Sequence, residues 1–228
     1  MLQNDHGDRK LPNQHSANQG IVIAVDGPAA SGKGTLAKEI AERLGLRYLD
    51  TGAIYRAVGY KVLSRHIAFD DEEKIIAIAQ NLDVDDIDYD TLYQEGVGMA
   101  ASVVSAIPGV RKALLEVQQQ VANSPEGAVL DGRDIGTVIC PNADFKFFIT
   151  AEVTARAQRR YKQLQNKGIS IIYDEVLKDL KKRDDRDSKR AVAPLMPAKD
   201  AIHIDTTGMG AQEVLDKVLK IIQDRLSA

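Results

Sequence analysis

The sequence predicts an α/β protein with a three-layer α/β/α fold, in which a five-stranded parallel sheet lies between two layers of helices. Five short apolar stretches alternate with helical segments along the 228 residues. The first, "IVIAVD" at 21–26, is a continuous β-branched run typical of a strand buried on both faces. The glycine-rich loop "GPAASGKGT" at 27–35 follows it and opens a helix, which is the arrangement of a phosphate-binding loop.

Apolar spacing predicts the elements that follow the loop. The first helix ends at Gly45 and carries an apolar residue every four positions, at Leu36, Ile40 and Leu44. Residues 47–50, "RYLD", form a short second strand. A second helix shows the same spacing at Ile54, Val58 and Val62.

The alternation of strands and helices is interrupted at residues 66–123, which predicts an inserted subdomain outside the sheet. The segment contains an acidic stretch at 83–90, a helix of small residues, and Pro108 as a break. A last helix carries a clear apolar stripe at Val110, Leu114, Val117 and Val121.

The alternation of strands and helices resumes after residue 123. Strands are predicted at 128–131, 145–150 and 201–207, and helices at 152–166 and 211–225. The core domain therefore comprises 21–65 and 124–228. The polar residues 1–20 predict a disordered tail, since they lack an apolar run.

Composition narrows the function classes. The net charge of −3 and the pI of about 5.8 give no global attraction to nucleic acid or membrane. The single cysteine, Cys140, excludes an internal disulfide framework and predicts a buried core thiol in a reducing compartment. No run reaches the ~18 apolar residues of a membrane span, and the histidines show no metal-ligand spacing. We expect a cytoplasmic protein without membrane or nucleic-acid partners.

The loop departs from the usual P-loop pattern at one position. Lys33 is in register, but Gly34 stands where a hydroxyl that binds magnesium is usual, and Thr35 comes one place later. The backbone of the loop is expected to bind nucleotide phosphates, with small residues keeping it narrow. The predicted phosphate-binding set is Gly27, Pro28, Ala29, Ala30, Ser31, Gly32, Lys33, Gly34 and Thr35.

The delayed hydroxyl changes how magnesium would be held. We expect the ion to be bound by nucleotide phosphates, by Thr35, and by waters on acidic groups. Asp131, at the tip of the strand 128–131, is the expected acidic partner. The alternative for Asp131 is an ordinary turn residue before Gly132.

Arginines follow several predicted strand and helix ends. Their planar guanidinium groups bind phosphate in two places and stabilise charge on a transferring phosphoryl group. Any single one could instead be a surface charge, although Arg133 directly follows a strand tip, where the sites of α/β proteins lie. The set is Arg56, Arg111, Arg133, Arg183, Arg186 and Arg190.

The segment 156–190 has twelve Lys or Arg residues and six Asp or Glu residues. A nucleic-acid surface is one interpretation, but the interleaved aspartates would repel a phosphodiester backbone. A lid at about 168–190 that closes over nucleotide phosphates accounts for the mixture better. The sequence shows no general-base motif, which suits an acceptor phosphate that is already largely ionised at pH 7.

Four motifs, "VDGPAASGKGT", "LDTGAIYR", "LDGRDIGTVICP" and "KKRDDRDSKRAVAPL", closely resemble those of the bacterial-type cytidylate kinases (CMP kinases). That family belongs to the nucleoside monophosphate kinase superfamily of P-loop NTPases. The resemblance extends from about residue 21 to the C-terminus. It implies transfer of the ATP γ-phosphate to CMP or dCMP with magnesium, in a protein that is usually monomeric.

The resemblance also implies roles for residues. Lys33 would hold ATP phosphates, and the catalytic set would be Lys33, Arg133, Arg183, Arg190 and Asp131. Ser102, Arg111 and Asp134 match positions that read the cytosine edge, and 66–123 matches the monophosphate-binding subdomain. The implied substrate-binding set is Thr51, Tyr55, Arg56, Ser102, Arg111, Arg133, Asp134, Arg183, Asp187 and Arg190.

Other functions remain open at this point. A kinase for UMP, AMP or a metabolite hydroxyl would use the same scaffold, although a hydroxyl acceptor would require a positioned base. A GTPase-like switch would need an N-K-x-D element, and the sequence has none. A nucleic-acid-binding ATPase is suggested only by the basic segment 156–190.

Overall fold

The computed structural model describes residues 20–84, 86–94 and 96–227 of the chain. Its sheet has five strands, all parallel; numbered in chain order, the second, third, first, fourth and fifth strands lie side by side in that order. The predicted parallel sheet is therefore confirmed, whereas the predicted tail lies outside the described residues apart from Gly20. The strands are β1 (Val22–Asp26), β2 (Arg47–Asp50), β3 (Ala128–Gly132), β4 (Phe145–Thr150) and β5 (Ile202–Asp205).

Eight α-helices lie within the described ranges. Six of them match the predicted helices to within a few residues at each end, a difference that is normal for helix termini. The helices at Glu72–Gln80 and Tyr173–Lys189 were not predicted as helices. A 3₁₀ turn at Thr91–Tyr93 and a π turn at Ile135–Ile139 complete the elements. The helices are α1 (Lys33–Leu44), α2 (Thr51–Ser64), α3 (Glu72–Gln80), α4 (Val97–Val104), α5 (Pro108–Ala122), α6 (Val153–Asn166), α7 (Tyr173–Lys189) and α8 (Ala211–Leu226).

The two faces of the sheet are buried against different helices. Ile23 and Val25 of β1 pack on the side of α1 and α8, in a cluster with Ile40 and Val218. The intervening Ala24 belongs to the opposite cluster, together with residues of α5 and the π turn. Because successive side chains of a strand point to opposite faces, the continuous apolar run of β1 supplies both cores.

The helices of residues 66–123 share a core with α2. Val58 and Val62 of α2 pack with Ile75 of α3 and Leu114 of α5. Gly59 allows α4 to come close, since a Cβ at this position would lie 2.8 Å from the backbone nitrogen of Ala101. The α2 helix therefore joins these helices to the carboxyl edge of the sheet.

The α6 and α7 helices pack on each other and on the glycine-rich loop. Ala29 of the loop forms a small apolar cluster with Ala157 of α6 and with Val176 and Leu180 of α7. The segment predicted as a lid thus contains a 17-residue helix in contact with the loop.

Cys140 and the helix lengths agree with what composition predicted. Burial raises the pKa of the Cys140 thiol to about 12, so the group is an unreactive core residue. Within the described part of the chain, no single helix is long and apolar enough to cross a membrane. The α4 and α5 helices meet that length and composition only as a pair, and the pair is bent by 96°.

Candidate active site

The glycine-rich loop adopts a conformation suited to binding an anion. Gly32, at the start of α1, has a φ of 91°, and Ala30 has a φ of 60°. Gly27 cannot carry a side chain, because a Cβ there would lie 2.0 Å from the backbone oxygen of Ile149 in β4. The Ser31 hydroxyl is buried without a hydrogen-bond partner among the described residues. Left-handed residues at a helix N-terminus turn backbone N–H groups toward a common point, where a phosphate would complete the hydrogen bonding.

Lys33 is the buried cation of this loop. Its Nζ donates one long hydrogen bond of 3.4 Å, to the backbone oxygen of Pro28. Burial, together with the charges of Arg133 and Arg183, lowers the pKa of Lys33 to about 7, whereas Asp131 opposes the shift. The nearby carboxylates therefore do not balance the positive charges around Lys33, and an anion bound at the loop would raise its pKa.

Asp131 lies at the end of β3, beside the loop. The Tyr48 hydroxyl donates to its Oδ1 at 2.8 Å, and the Thr51 hydroxyl donates to its backbone oxygen at 2.7 Å. Burial, then the charge of Asp50, raises the pKa of the Asp131 carboxyl to about 6. A Cβ on Gly34 would lie 3.5 Å from Asp131 Oδ2, so the missing side chain leaves the carboxylate next to the loop.

The donors near Asp131 fit a magnesium ion only if the nucleotide supplies most of its ligands. Among the described residues, no group of three or more His, Cys, Asp or Glu side chains could hold a metal ion. The Asp131 carboxylate and the exposed hydroxyl of Thr35, in the first turn of α1, are oxygen donors of the type that magnesium prefers.

A second group of charges connects the sheet to α7. Arg133 donates from Nε to Asp187 Oδ2 at 2.9 Å, and Arg183 Nε lies 3.9 Å from the same oxygen. Burial alone would raise the pKa of Asp187, but Arg133 and then Arg183 lower it below the usual value. Burial and the neighbouring Arg133 lower the pKa of Arg183 to about 10. The Asp187 carboxylate therefore forms ion pairs with both Arg133 and Arg183, and the positive charges of these two arginines also repel that of Lys33.

A third group surrounds Asp134. Arg111 forms a buried ion pair with Asp134 Oδ2, and Arg190 Nη2 lies 3.4 Å from Asp134 Oδ1. The guanidinium group of Arg111 also lies over the ring of Tyr55, with 5.5 Å between Cζ and the ring centroid. The structure thus brings together four predicted residues that are distant in the sequence.

The remaining predicted residues lie on α2 and α4. Arg56 forms an ion pair of 2.6 Å with Asp50 at the end of β2. Ser102 of α4 is buried, and its Oγ accepts a hydrogen bond of 2.6 Å from Arg186. The predicted site residues are therefore grouped at the loop, around Asp187, around Asp134, and at the N-terminus of α2.

Sequence reasoning missed the side chains that support these groups. Arg156 is buried in α6 and donates to the backbone oxygen of Ala29 at 3.1 Å and to Asp184 of α7 at 2.6 Å. Arg159 donates to the backbone oxygen of Ser31 at 3.3 Å. In the sequence, both arginines were part of a charged helix, and no local signal distinguished them from surface charges.

Asp26 belongs to the motif "VDGPAASGKGT", and the sequence predicted no role for it. Its carboxylate accepts hydrogen bonds of 2.8 Å from the backbone N–H groups of Ile135 and Gly136. Burial raises its pKa to about 6, although these two hydrogen bonds oppose the shift. Asp26 thereby fastens the π turn that follows Asp134 to the end of β1. The one feature of the sequence that could have indicated a role for Asp26 was its position at the end of a predicted central strand.

Comparison with known proteins identifies the family. The sequence profile of the cytidylate kinases matches residues 23–224. The chain belongs to the cytidylate kinase family. A cytidylate kinase of Azorhizobium caulinodans is 51% identical over 203 residues, which cover 89% of this chain and 98% of that protein. A cytidylate kinase of Paramagnetospirillum magneticum is 50% identical over 204 residues, which cover 88% of this chain and 97% of that protein.

A solved structure supports the fold independently of close sequence similarity. An uncharacterized protein from Eubacterium ventriosum aligns with a TM-score of 0.54 at 17% identity, over 90% of this chain and 99% of that one. At this identity the likeness concerns the fold alone. The resemblance noted from the four motifs is thus confirmed by the family match, and the parallel three-layer architecture is confirmed by the sheet itself.

Proposed function

We infer that this protein is a cytidylate kinase that transfers the γ-phosphate of ATP to CMP or dCMP, giving ADP and CDP or dCDP. Family membership over residues 23–224 is the observation that carries the inference. The electrostatics of the site support it, since the positive charge of Arg133 helps to lower the pKa of both Lys33 and Arg183, and Arg183 also helps to lower that of Lys33. ATP and a nucleoside monophosphate would supply the missing negative charge.

The loop residues and Lys33 would bind the phosphates of ATP. The backbone N–H groups of the loop and the unpartnered Ser31 hydroxyl are suited to the phosphate oxygens. Magnesium, when bound, supplies positive charge that offsets the charge of the phosphates; Thr35 and Asp131 would hold it, mainly through water. ATP and magnesium are therefore the proposed phosphoryl donor and metal.

The arginines would align the acceptor and stabilise the transferring group. Arg56, Arg133 and Arg190 would face the CMP phosphate or the phosphoryl group in transfer, and Arg183 with Asp187 would lie near the ribose. Arg56 and Arg183 each have a buried Nε without a hydrogen-bond partner in the described chain, which supports a phosphate-binding role. The acceptor phosphate is mostly ionised at neutral pH, so the reaction needs alignment and charge neutralisation rather than a general base.

The group around Asp134 would select the base. Asp134 can accept hydrogen bonds from the cytosine amino group, while Arg111 and Ser102 can donate to its carbonyl and ring nitrogen. Uracil would present a carbonyl to Asp134, and a mismatch of that kind costs about 1–3 kcal/mol for each buried group. We accordingly propose residues 66–123 as the monophosphate-binding subdomain, with Thr51 and Tyr55 of α2 completing its site.

The charge pattern of α7 favours a lid over a nucleic-acid surface. Its aspartates are used in ion pairs, with Asp184 bound to Arg156 and Asp187 bound to Arg133. Ion pairs of this kind leave less free positive charge for a phosphodiester backbone. We propose that the lid extends over about 168–190, and that the protein works in the cytoplasm as a monomer without nucleic-acid or membrane partners.

An ADP-release assay tests the proposed function. The protein is given ATP and magnesium with CMP, dCMP, UMP, AMP or GMP in turn, and turnover is expected with the cytidine monophosphates. Lys33→Ala is the control and is expected to remove turnover while the thermal unfolding transition is kept. Turnover with UMP or AMP alone would identify a different monophosphate kinase. A salt-sensitive gel shift with RNA or DNA, without CMP turnover, would favour a nucleic-acid-binding ATPase.

A further inference from the structure

Arg186 contacts Ser102, one of the proposed base-reading residues. It extends from α7, and its Nη1 lies 2.6 Å from Ser102 Oγ on α4. The two residues are 84 positions apart in the sequence. Ser102 is 3% exposed, so its hydroxyl depends on the protein or on a bound substrate for its hydrogen bonds.

This hydrogen bond has only one possible direction. A guanidinium group has five N–H donors and no acceptor, so Arg186 must donate and Ser102 Oγ must accept. The hydroxyl proton of Ser102 then points elsewhere. Within the described chain, the Ser102 hydroxyl donates to no acceptor, and its backbone oxygen is a separate acceptor for the Ser105 hydroxyl at 3.1 Å.

The end of α4 is also connected to the pair of Arg111 and Asp134. Arg111 Nη1 donates to the backbone oxygen of Ser105 at 3.3 Å, and Ser105 donates to Ser102 as described above. Hydrogen bonds through Ser105 therefore join the backbone of Ser102 to the buried ion pair. The backbone of Ser102 is linked to the other proposed base-reading groups in this way, and Arg186 is the partner of its hydroxyl.

We propose that Arg186 is a positioning residue for base selection, because it fixes the Ser102 hydroxyl as a hydrogen-bond donor toward the substrate base. Cytosine has a ring acceptor at N3, whereas uracil carries a hydrogen at N3 and is a donor there. A hydroxyl fixed as a donor pairs with cytosine and opposes uracil. Without Arg186, the hydroxyl rotates and accepts from uracil. The inference rests on the proposed function, since it concerns the base that the enzyme accepts.

A double-mutant cycle tests the inference. The ratio of kcat/KM for CMP to that for UMP is measured in the wild-type protein, in Arg186→Met, in Ser102→Ala and in the double variant. One neutral hydrogen bond changes binding by about 1 kcal/mol, so Arg186→Met is expected to lower the ratio about fivefold to tenfold. In the Ser102→Ala background, the same substitution is expected to change the ratio less than twofold, because the hydroxyl is already absent.

Two further variants distinguish the positioning of the Ser102 hydroxyl by Arg186 from a general effect of removing a positive charge from α7. Arg186→Lys keeps a donor-only cation and is expected to keep more than half of the wild-type ratio. Lys181→Met removes an exposed positive charge from the same helix and is expected to leave the ratio unchanged. An unchanged ratio in Arg186→Met, or an equal fall in both backgrounds, would overturn the role of Arg186. Absence of CMP turnover in the wild-type protein would instead overturn the proposed function.

Discussion

Nucleotide binding is expected to make Lys33 take up a proton. Burial and the nearby arginines lower the pKa of this lysine from 10.5 to about 7 in the free protein. Phosphates bound at the loop add negative charge beside Nζ and favour the ammonium form. The pKa therefore rises on binding, and above pH 7 a proton must enter the site together with ATP.

The expected amount follows from the pKa. At pH 8, a group with a pKa of about 7 is only about one-tenth protonated, so full protonation on binding takes up about 0.9 proton. Other groups contribute little at this pH. Arg183, with a pKa of about 10, is already charged, and Asp131, with a pKa of about 6, is already ionised. The second ionisation of a phosphate is near pH 6, so ATP itself is also fully ionised.

Isothermal titration calorimetry measures the uptake directly. The protein is titrated with magnesium and ATP at pH 8, without CMP, in two buffers that differ in ionisation enthalpy, such as Tris and HEPES. The slope of the observed enthalpy against the buffer enthalpy gives the number of protons taken up. Lys33→Arg is the matched control, because arginine keeps the charge but stays protonated at this pH.

The wild-type protein is expected to take up about 0.9 proton and the Lys33→Arg variant about 0.1 or less. Any uptake that persists in the variant belongs to a carboxyl such as Asp131. If the two proteins take up the same number of protons, or if the wild-type protein takes up fewer than about 0.3, Lys33 is charged before ATP binds and the reasoning is refuted.

Three further outcomes are expected. Asp131→Asn should lower kcat and yet raise Tm at pH 7. The pKa of Asp131 in the folded state, about 6, is above the ordinary 3.8, so the ionised carboxylate lowers the stability of the folded state by its full amount above pH 6. The gain in Tm from the substitution should therefore shrink as the pH falls toward 4. An equal Tm at pH 7 would contradict this. Gly27→Ala should lower the free energy of unfolding by about 2–3 kcal/mol, because its Cβ would overlap the backbone of Ile149, whereas Gly98→Ala, with open space around it, should not; urea unfolding compares the two. Asp134→Ala should reduce the preference for CMP over UMP more than it changes KM for ATP, and steady-state kinetics that show an unchanged preference would remove its base-reading role.

Much of the fold could be predicted because its signals are local. The continuous apolar run of β1 indicated a strand buried on both faces, and both cores of the sheet use it. Gly45 ends α1 in a left-handed conformation, as its position after the last apolar residue predicted. In each case a few neighbouring residues determine both the conformation and the face that is buried.

The site was predicted through motifs, and its contacts were not. The sequence placed Asp134, Arg111 and Arg190 in the site, but the ion pairs among them join residues 23 and 56 positions apart. The supporting roles of Asp26 and Arg156 had no motif to indicate them. Such contacts depend on strand order and on how α5, α6 and α7 are oriented against the sheet edge.

The sequence by itself determined the strands, six of the eight helices of the described residues, the phosphate-binding loop and the family, because periodicity, glycine positions and motif letters act over short distances. Tertiary structure alone decided that Lys33 shares its surroundings with Arg133 and Arg183, and that Arg186 donates to Ser102. The physical reason is that burial and charge are properties of a three-dimensional neighbourhood. The pKa of a lysine or the direction of a hydroxyl is fixed only when distant segments of the chain meet around it.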